Sequence, residues 1–198
     1  MGSLPIRQVA ADGTPLAQII AEAGALVGIK VDRGTKPLAG FPGETITEGL
    51  DGLRERLVEY AELGASFAKW RAVIDIGNGI PTPGAINVNM RDLARYAALC
   101  QEVEIVPIVE PEVLMDGDHD ITTCAQVTKV VLRRLFEELR LMHVSLEGIV
   151  LKPNMIVPGK KCPDQATPEE VAQRTISVFN LARTPFFRHR SQGELAFE

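Results

Sequence analysis

Short apolar runs alternate along this chain with longer amphipathic stretches. The apolar runs are rich in valine and isoleucine and show little alternation, as expected of strands that are covered on both faces of a sheet. Their order along the chain, a strand and then a helix, is typical of repeated βα units around a parallel sheet. The pattern predicts four strands, at 25–32, 66–75, 105–111 and 148–155.

The stretches between these strands carry apolar residues at helical spacing with charged residues between them. In the first stretch Leu50, Leu53 and Leu57 fall on one face, and Gly64 follows as a helix stop. The last stretch opens with Thr167 as a helix cap. The predicted helices are 47–63, 87–100, 120–142 and 167–182, and the turn-rich segments 34–43, 77–84 and 158–163 are predicted loops.

Ionisable residues lie near the C-terminal end of each predicted strand. Within a pair the spacing is two, so both side chains leave the same face of their strand. The first charges of successive strands are about 40 residues apart, which is enough for one βα unit of roughly 30 residues or more and a loop. These residues are Lys30 and Asp32, Lys69 and Arg71, Glu110 and Glu112, and Lys152.

A (β/α) barrel gathers such residues, because the C-terminal ends of its strands surround one mouth. An open sheet with a crevice at its strand ends is the competing geometry. A single charge at a strand end often only reaches solvent. Four consecutive strands with the same feature favour a cluster, since burying an unpaired charge costs several kcal/mol and mutual pairing offsets that cost.

Lysines, an arginine and two glutamates in one pocket suit imine chemistry. A lysine becomes a nucleophile at neutral pH when burial and a second cation favour its neutral amine. Lys152 has apolar neighbours, Lys69 would be the second cation, and a carboxylate beside them could move protons. Surplus positive charge in the cluster favours an anionic substrate, with phosphate as the leading candidate.

Composition narrows the class of protein. The chain has 198 residues, of which 45% are apolar and 24% charged, an ordinary balance for one globular domain. Its net charge of −5 gives no basic field for nucleic acid, and no apolar run approaches the roughly 18 residues of a membrane helix. Cys100, Cys124 and Cys162 lack the spacing of a zinc site or a disulfide framework. These features, with no secretory signal pattern, favour the cytoplasm.

Seven stretches at these strands and their loops closely resemble class I fructose-bisphosphate aldolases, in the order and spacing of that family. The resemblance covers residues 8–184. It implies a TIM barrel and the reversible cleavage of fructose 1,6-bisphosphate to dihydroxyacetone phosphate and glyceraldehyde 3-phosphate, a step of glycolysis. The stretches read GIKVD from Gly28, KPLAG from Lys36, GLDGL from Gly49, FAKWR from Phe67, IVPIVEPE from Ile105, DGDHD from Asp116 and LKPNM from Leu151.

The resemblance also implies a role for each strand-end residue. Lys152 resembles the Schiff-base lysine, and Glu110 the general acid and base of carbinolamine dehydration. Lys69 resembles the cation beside the lysine, and Glu112 a carboxylate that hydrogen-bonds near the lysine pair. Lys30, Arg71 and Asp32 are expected on the substrate side, toward the sugar phosphate. No metal and no cofactor are implied, because the protonated imine is the electron sink. The resemblance leaves room for a homo-oligomer.

The chain departs from the family pattern at both ends. It supplies what would be the third to sixth of eight strands, and it lacks the family's first-strand motif, whose aspartate assists carbon–carbon cleavage. Residues 185–198 diverge from the family. We therefore expect one domain, an open α/β half-barrel with about four parallel strands. One alternative is a non-catalytic remnant that binds full-length aldolase, and the missing first-strand aspartate favours such an inactive form. The other is a lysine aldolase for another sugar phosphate.

Two further residues have structural interpretations. His119, at the start of the third predicted helix, is expected to cap that helix or to form a structural hydrogen bond. Trp70 lies between Lys69 and Arg71, so the strand period points it to the opposite face, where it would pack against the helices.

Overall fold

The structure, a computed structural model, describes residues 8–187, and for 183–187 the backbone only. It contains one four-stranded parallel sheet, in the order β1-β4-β5-β6, and a separate two-stranded hairpin, β2-β3. The strands are Val27–Lys30 (β1), Thr35–Pro37 (β2), Thr45–Thr47 (β3), Ala65–Ile74 (β4), Val106–Val113 (β5) and Val150–Leu151 (β6). The helices are Leu16–Glu22 (α1), Leu53–Glu62 (α2), Pro83–Glu102 (α3), Ile121–Leu141 (α4) and Pro168–Phe187 (α5).

The parallel sheet of βα units is confirmed, and all four predicted strands are present in it. The expectation that both faces are covered is wrong for the described residues. On β4, residues 68, 70, 72 and 74 are buried beneath the helices, whereas Lys69 and Arg71 between them are only half-buried. On the same open face Val106 and Val150 are exposed. The uncovered face is the one that carries the strand-end charges.

Helix α3 fixes the sheet from the covered face. Trp70 is fully buried and stacks on Tyr96 with ring centroids 5.6 Å apart, which confirms the prediction for Trp70. The Tyr96 hydroxyl donates a hydrogen bond of 2.7 Å to the backbone oxygen of Ala68. A buried aromatic residue with a satisfied hydroxyl holds β4 rigidly behind Lys69 and Arg71.

The first predicted helix, 47–63, begins later than expected. Its first residue, Thr47, ends β3, and the helix starts only at Leu53. Strand β3 pairs antiparallel with β2, which lies inside the predicted loop 34–43. Gly49 and Gly52 take φ angles of 131° and 61°, values that favour glycine and separate β3 from α2. Glu44, next to β3, accepts hydrogen bonds from the N–H (2.7 Å) and the hydroxyl (2.6 Å) of Thr82, the N-cap of α3, so the hairpin is tied to that helix.

Other boundaries differ at the ends of the chain and at β6. Helix α1 was not predicted; it has seven residues and no side-chain cap. The strand predicted over 148–155 is ordered as a ladder only at β6. The divergent segment predicted over 185–198 lies outside the described residues from position 188 onward. In the part of the chain that the structure describes, no helix is long and apolar enough to cross a membrane.

Candidate active site

The strand register brings the predicted charges to one edge of the sheet. Lys30 of β1 aligns with Lys69 of β4, and Arg71 of β4 aligns with Glu110 of β5. Lys152 directly follows β6, where its N–H donates to the backbone oxygen of Val109 at 2.9 Å. Because the strands are parallel and the spacing within each pair is two, the charged side chains share the open face near the C-terminal ends.

Glu110 lies between two lysines. The Nζ of Lys152 lies 2.5 Å from Oε1 of Glu110, and the Nζ of Lys69 lies 3.1 Å from Oε2. The Glu110 side chain is only 4% exposed, whereas Lys69 and Lys152 are 33% and 58% exposed. A buried carboxylate therefore joins two cations that reach toward the open face.

The charge state of Glu110 follows from these contacts. Burial by itself raises its pKa, but the contacts with Lys152 and Lys69 outweigh burial, so the pKa lies below the ordinary value of 4.5. Glu110 is thus a carboxylate at neutral pH. Its Oε2 contacts Lys69 as an ion pair without hydrogen-bond geometry and has no hydrogen-bond partner within residues 8–187. That oxygen is therefore an unused hydrogen-bond acceptor beside Lys69.

Glu112 forms its ion pair with Arg71, through Oε2 and the guanidinium Nε. The sequence interpretation placed Glu112 near the lysine pair, but its ion pair is with the arginine of the next strand. The hydrogen bond from Arg71 to Glu112 raises the pKa of the guanidinium, against the opposing effect of burial. Arg71 therefore stays a fixed cation at the edge of the site.

Asp32 lies below the surface of the site, with a side chain only 2% exposed. Oδ1 pairs with the Nζ of Lys30 and accepts the Gly34 N–H at 3.0 Å, and Oδ2 accepts the Arg71 N–H at 3.3 Å. The backbone oxygen of Arg71 accepts a hydrogen bond of 2.8 Å from the Thr47 hydroxyl. Beyond the end of β1, the side chains of Asp32 and Thr47 thus bind the backbone N–H and oxygen of Arg71 on β4. No sequence signal pointed to Thr47.

The prediction for His119 is wrong in both forms. Asp120 is the N-cap of α4, and its side chain accepts the Thr123 N–H at 2.7 Å. His119 is buried, and neither ring nitrogen has a hydrogen-bond partner among the residues that the structure describes. Burial lowers the pKa of His119, although Asp118 and Asp120 act in the opposite direction.

The cysteines and the acidic residues outside the cluster do not add chemistry. Cys100, Cys124 and Cys162 are buried free thiols. Between residues 8 and 187, no group of three or more His, Cys, Asp or Glu side chains is placed to hold a metal ion.

Comparison with known proteins gives one consistent result. The family model for class-I fructose-bisphosphate aldolase matches residues 5–185. A protein of Xanthomonas campestris named as a probable fructose-bisphosphate aldolase class 1 is 59% identical over 171 residues, which are 86% of this chain and 51% of that protein. Human fructose-bisphosphate aldolase C is 51% identical over 174 residues, covering 88% of this chain and 48% of the relative.

A solved structure agrees with the sequence comparisons. Fructose-bisphosphate aldolase from Plasmodium falciparum, crystallised with TRAP and a small-molecule inhibitor, superposes with a TM-score of 0.87 at 41% identity. The match covers 90% of this chain and 52% of that one. The expected fold, part of an aldolase barrel with four parallel strands, is confirmed. The chain spans about half the length of the relatives that it matches.

Proposed function

The chain belongs to the class I fructose-bisphosphate aldolase family, and from this premise we propose that it cleaves fructose 1,6-bisphosphate reversibly through an imine on Lys152. The products are dihydroxyacetone phosphate and glyceraldehyde 3-phosphate, and the pathway is glycolysis. One observation carries the proposal. A buried carboxylate, Glu110, contacts the Nζ atoms of both Lys152 and Lys69.

The contact between Lys152 and Glu110 provides a route for the first proton transfer. At 2.5 Å the Nζ proton of Lys152 can pass to Oε1 of Glu110, which leaves a neutral amine. The amine adds to the substrate ketone, and a proton passes from the new ammonium nitrogen to the alkoxide to give a neutral carbinolamine. Glu110, now protonated, returns its proton to the departing hydroxyl, which leaves as water and forms the iminium ion.

Lys69 is the second lysine in contact with Glu110 during these reaction steps. Its Nζ contacts the oxygen of Glu110 that Lys152 does not use. The Lys69 ammonium at that position can donate hydrogen bonds to substrate hydroxyls. Glu112 acts indirectly in this proposal, because it pairs with Arg71 and holds that side chain in place.

The sugar phosphate is assigned to the cations on the β1 side of the site. Lys30 and Arg71 are partly exposed on the open face, and each is oriented by a carboxylate, Asp32 or Glu112. Cations held in this way recognise phosphate oxygens. Asp32, being buried, contributes to binding by orienting Lys30 and the backbone of Arg71.

The proposal also covers the domain organisation, the cellular location and the ligand of the protein. We propose one partial aldolase barrel domain over 1–198, similar to the family over 8–184, and a cytoplasmic location, in keeping with the buried free thiols. We propose a small sugar phosphate as its ligand. The chain has a net charge of −5, so we propose no binding to nucleic acid or to a membrane. From its family, we also propose that the protein assembles into a homo-oligomer.

A second candidate is binding without catalysis, with full-length aldolase as the partner. The observation that favours it is the sheet itself, in which β1 and β6 are the edge strands of the described residues. Edge strands present unpaired backbone groups that can pair with another chain.

A cleavage assay separates the two candidates. The purified protein is incubated with fructose 1,6-bisphosphate, and the release of triose phosphate is followed. We expect release that is lost in Lys152→Met and kept in Lys129→Met, a matched lysine on α4. No release by a folded protein would contradict catalysis, and co-purification with full-length aldolase would then be the test of binding.

A further inference from the structure

The backbone that carries Lys152 is held by unusually few strand hydrogen bonds. Strand β6 has two residues, and it is an edge strand of the sheet within residues 8–187. The N–H of Lys152 donates to the oxygen of Val109, so residue 109 of β5 faces β6. Because alternate residues of a strand face the same neighbour, Pro107, Pro111 and Val113 face β6 as well.

Proline has no N–H, so β5 cannot donate to β6 at positions 107 and 111. The ladder therefore lacks the β5 donor that would follow Val109, at Pro111. The next N–H of β5 that faces this way belongs to Val113, and it donates to a side chain, Oδ1 of Asn154, at 3.1 Å.

The Asn154 amide is fixed at its other end by α4. Its Nδ2 donates to the Thr128 hydroxyl at 3.1 Å and to the backbone oxygen of Met155 at 3.0 Å. Thr128 is buried, and its hydrogen bond with Asn154 is partly buried. The orientation of the amide is unambiguous, because a backbone N–H can only donate and must therefore face the amide oxygen.

We propose that Asn154 is a positioning residue for Lys152, which it serves by supplying, beyond Pro111, a hydrogen bond between β5 and the segment that follows Lys152. Its side chain ties the segment after Lys152 to β5 through Val113 and to α4 through Thr128. The Lys152 side chain is more than half exposed and has Glu110 as its ion-pair partner, so its aim depends on where its backbone is held. A displacement of about 1 Å in a reacting group can cost on the order of 100-fold in rate.

The test compares Asn154→Ala and Thr128→Val with Asn87→Ala, an exposed asparagine on α3 that serves as the matched control. Carbon-detected NMR of the Glu110 carboxyl follows the contact with Lys152 without any substrate. Loss of that contact raises the pKa of Glu110 toward its ordinary value of 4.5, and Lys152→Met gives the full size of the effect.

We expect Asn154→Ala to produce most of the shift seen in Lys152→Met, Thr128→Val a smaller shift in the same direction, and Asn87→Ala none. Should Asn154→Ala fail to fold, Thr128→Val decides alone. A Glu110 titration in the folded variants that matches the wild type would overturn the proposal.

A second readout links the inference to catalysis, and it rests on the proposed function. Borohydride trapping of the imine with dihydroxyacetone phosphate should slow about 10- to 100-fold in Asn154→Ala. If the wild type forms no imine but the Glu110 shift appears, the proposed function fails and the positioning role stands. If the wild type forms the imine and the variants keep the wild-type titration and trapping rate, the positioning role fails alone.

Discussion

Replacing Glu110 by glutamine tests the pairing at the centre of the site. The substitution keeps the shape of the side chain but removes the negative charge between Lys69 and Lys152. Two unit charges about 4 Å apart attract by ~4 kcal/mol at an effective dielectric constant near 20, so two such contacts approach ~8 kcal/mol before any cost is subtracted.

Two costs reduce that figure. Burying the carboxylate costs several kcal/mol. The lysines are one-third and more than half exposed, so water and salt screen their attraction. We therefore expect Glu110→Gln to lower the free energy of unfolding by about 1–2 kcal/mol at pH 7. Equilibrium unfolding in urea measures it, with fluorescence of the single, fully buried Trp70 as the probe.

The pH dependence has a definite sign. Because the pKa of Glu110 is lower in the folded protein than its ordinary value of 4.5, its contribution is present above pH 4.5 and is lost as pH falls through the folded value. The difference in stability between wild type and Glu110→Gln should therefore shrink below pH 4.5.

Glu112→Gln is the matched control for catalysis, since it removes a carboxylate of the same strand that pairs with Arg71. Imine trapping should fall about 10²- to 10⁴-fold in Glu110→Gln, the usual contribution of a general acid or base, and less in Glu112→Gln. Wild-type stability at pH 7 together with wild-type trapping in Glu110→Gln would refute the reasoning.

Three further substitutions test the supports of the site by urea unfolding. Asp32→Ala leaves a buried N–H and a lysine without their acceptor and should cost about 1–3 kcal/mol; a loss below ~0.5 kcal/mol would show that the carboxylate is not needed there. Tyr96→Phe removes the hydrogen bond to Ala68 and should cost about 1 kcal/mol, whereas Tyr60→Phe, whose buried hydroxyl has no partner among the described residues, should cost nothing; equal losses would contradict this. Thr82→Ala removes the N-cap of α3 and should cost about 1 kcal/mol, and a neutral result would mean that Glu44 alone holds that helix end.

Much of the site could be predicted from the sequence, because it depends on residue spacing within strands and on the order of the strands. A spacing of two fixes which strand residues share a face, and the parallel order fixes which strand ends meet. Lys69, Glu110 and Lys152 could therefore be placed together before any coordinates, and the structure brings them into contact. The resemblance of these strands to class I fructose-bisphosphate aldolases then indicated which reaction to expect.

The rest depended on contacts between segments that are distant in the chain. The two-residue period of a strand does not determine which cation Glu112 contacts, because Lys69 and Arg71 leave the same face of β4. The β2–β3 hairpin was hidden in a loop pattern because its strands have three residues each. The sequence shows one proline, Pro111, that removes a donor from the ladder, but the partners of Asn154 on β5 and α4 appear only in the fold.

The most direct test of the central claim is a trapped imine. The protein is incubated with dihydroxyacetone phosphate, reduced with borohydride, digested, and mapped by peptide mass spectrometry. Our account predicts an adduct on Lys152 that is absent in Lys152→Met and present in Lys129→Met. A folded protein without an adduct, or with the adduct on another lysine, would contradict the assignment of Lys152 as the lysine that attacks the substrate ketone.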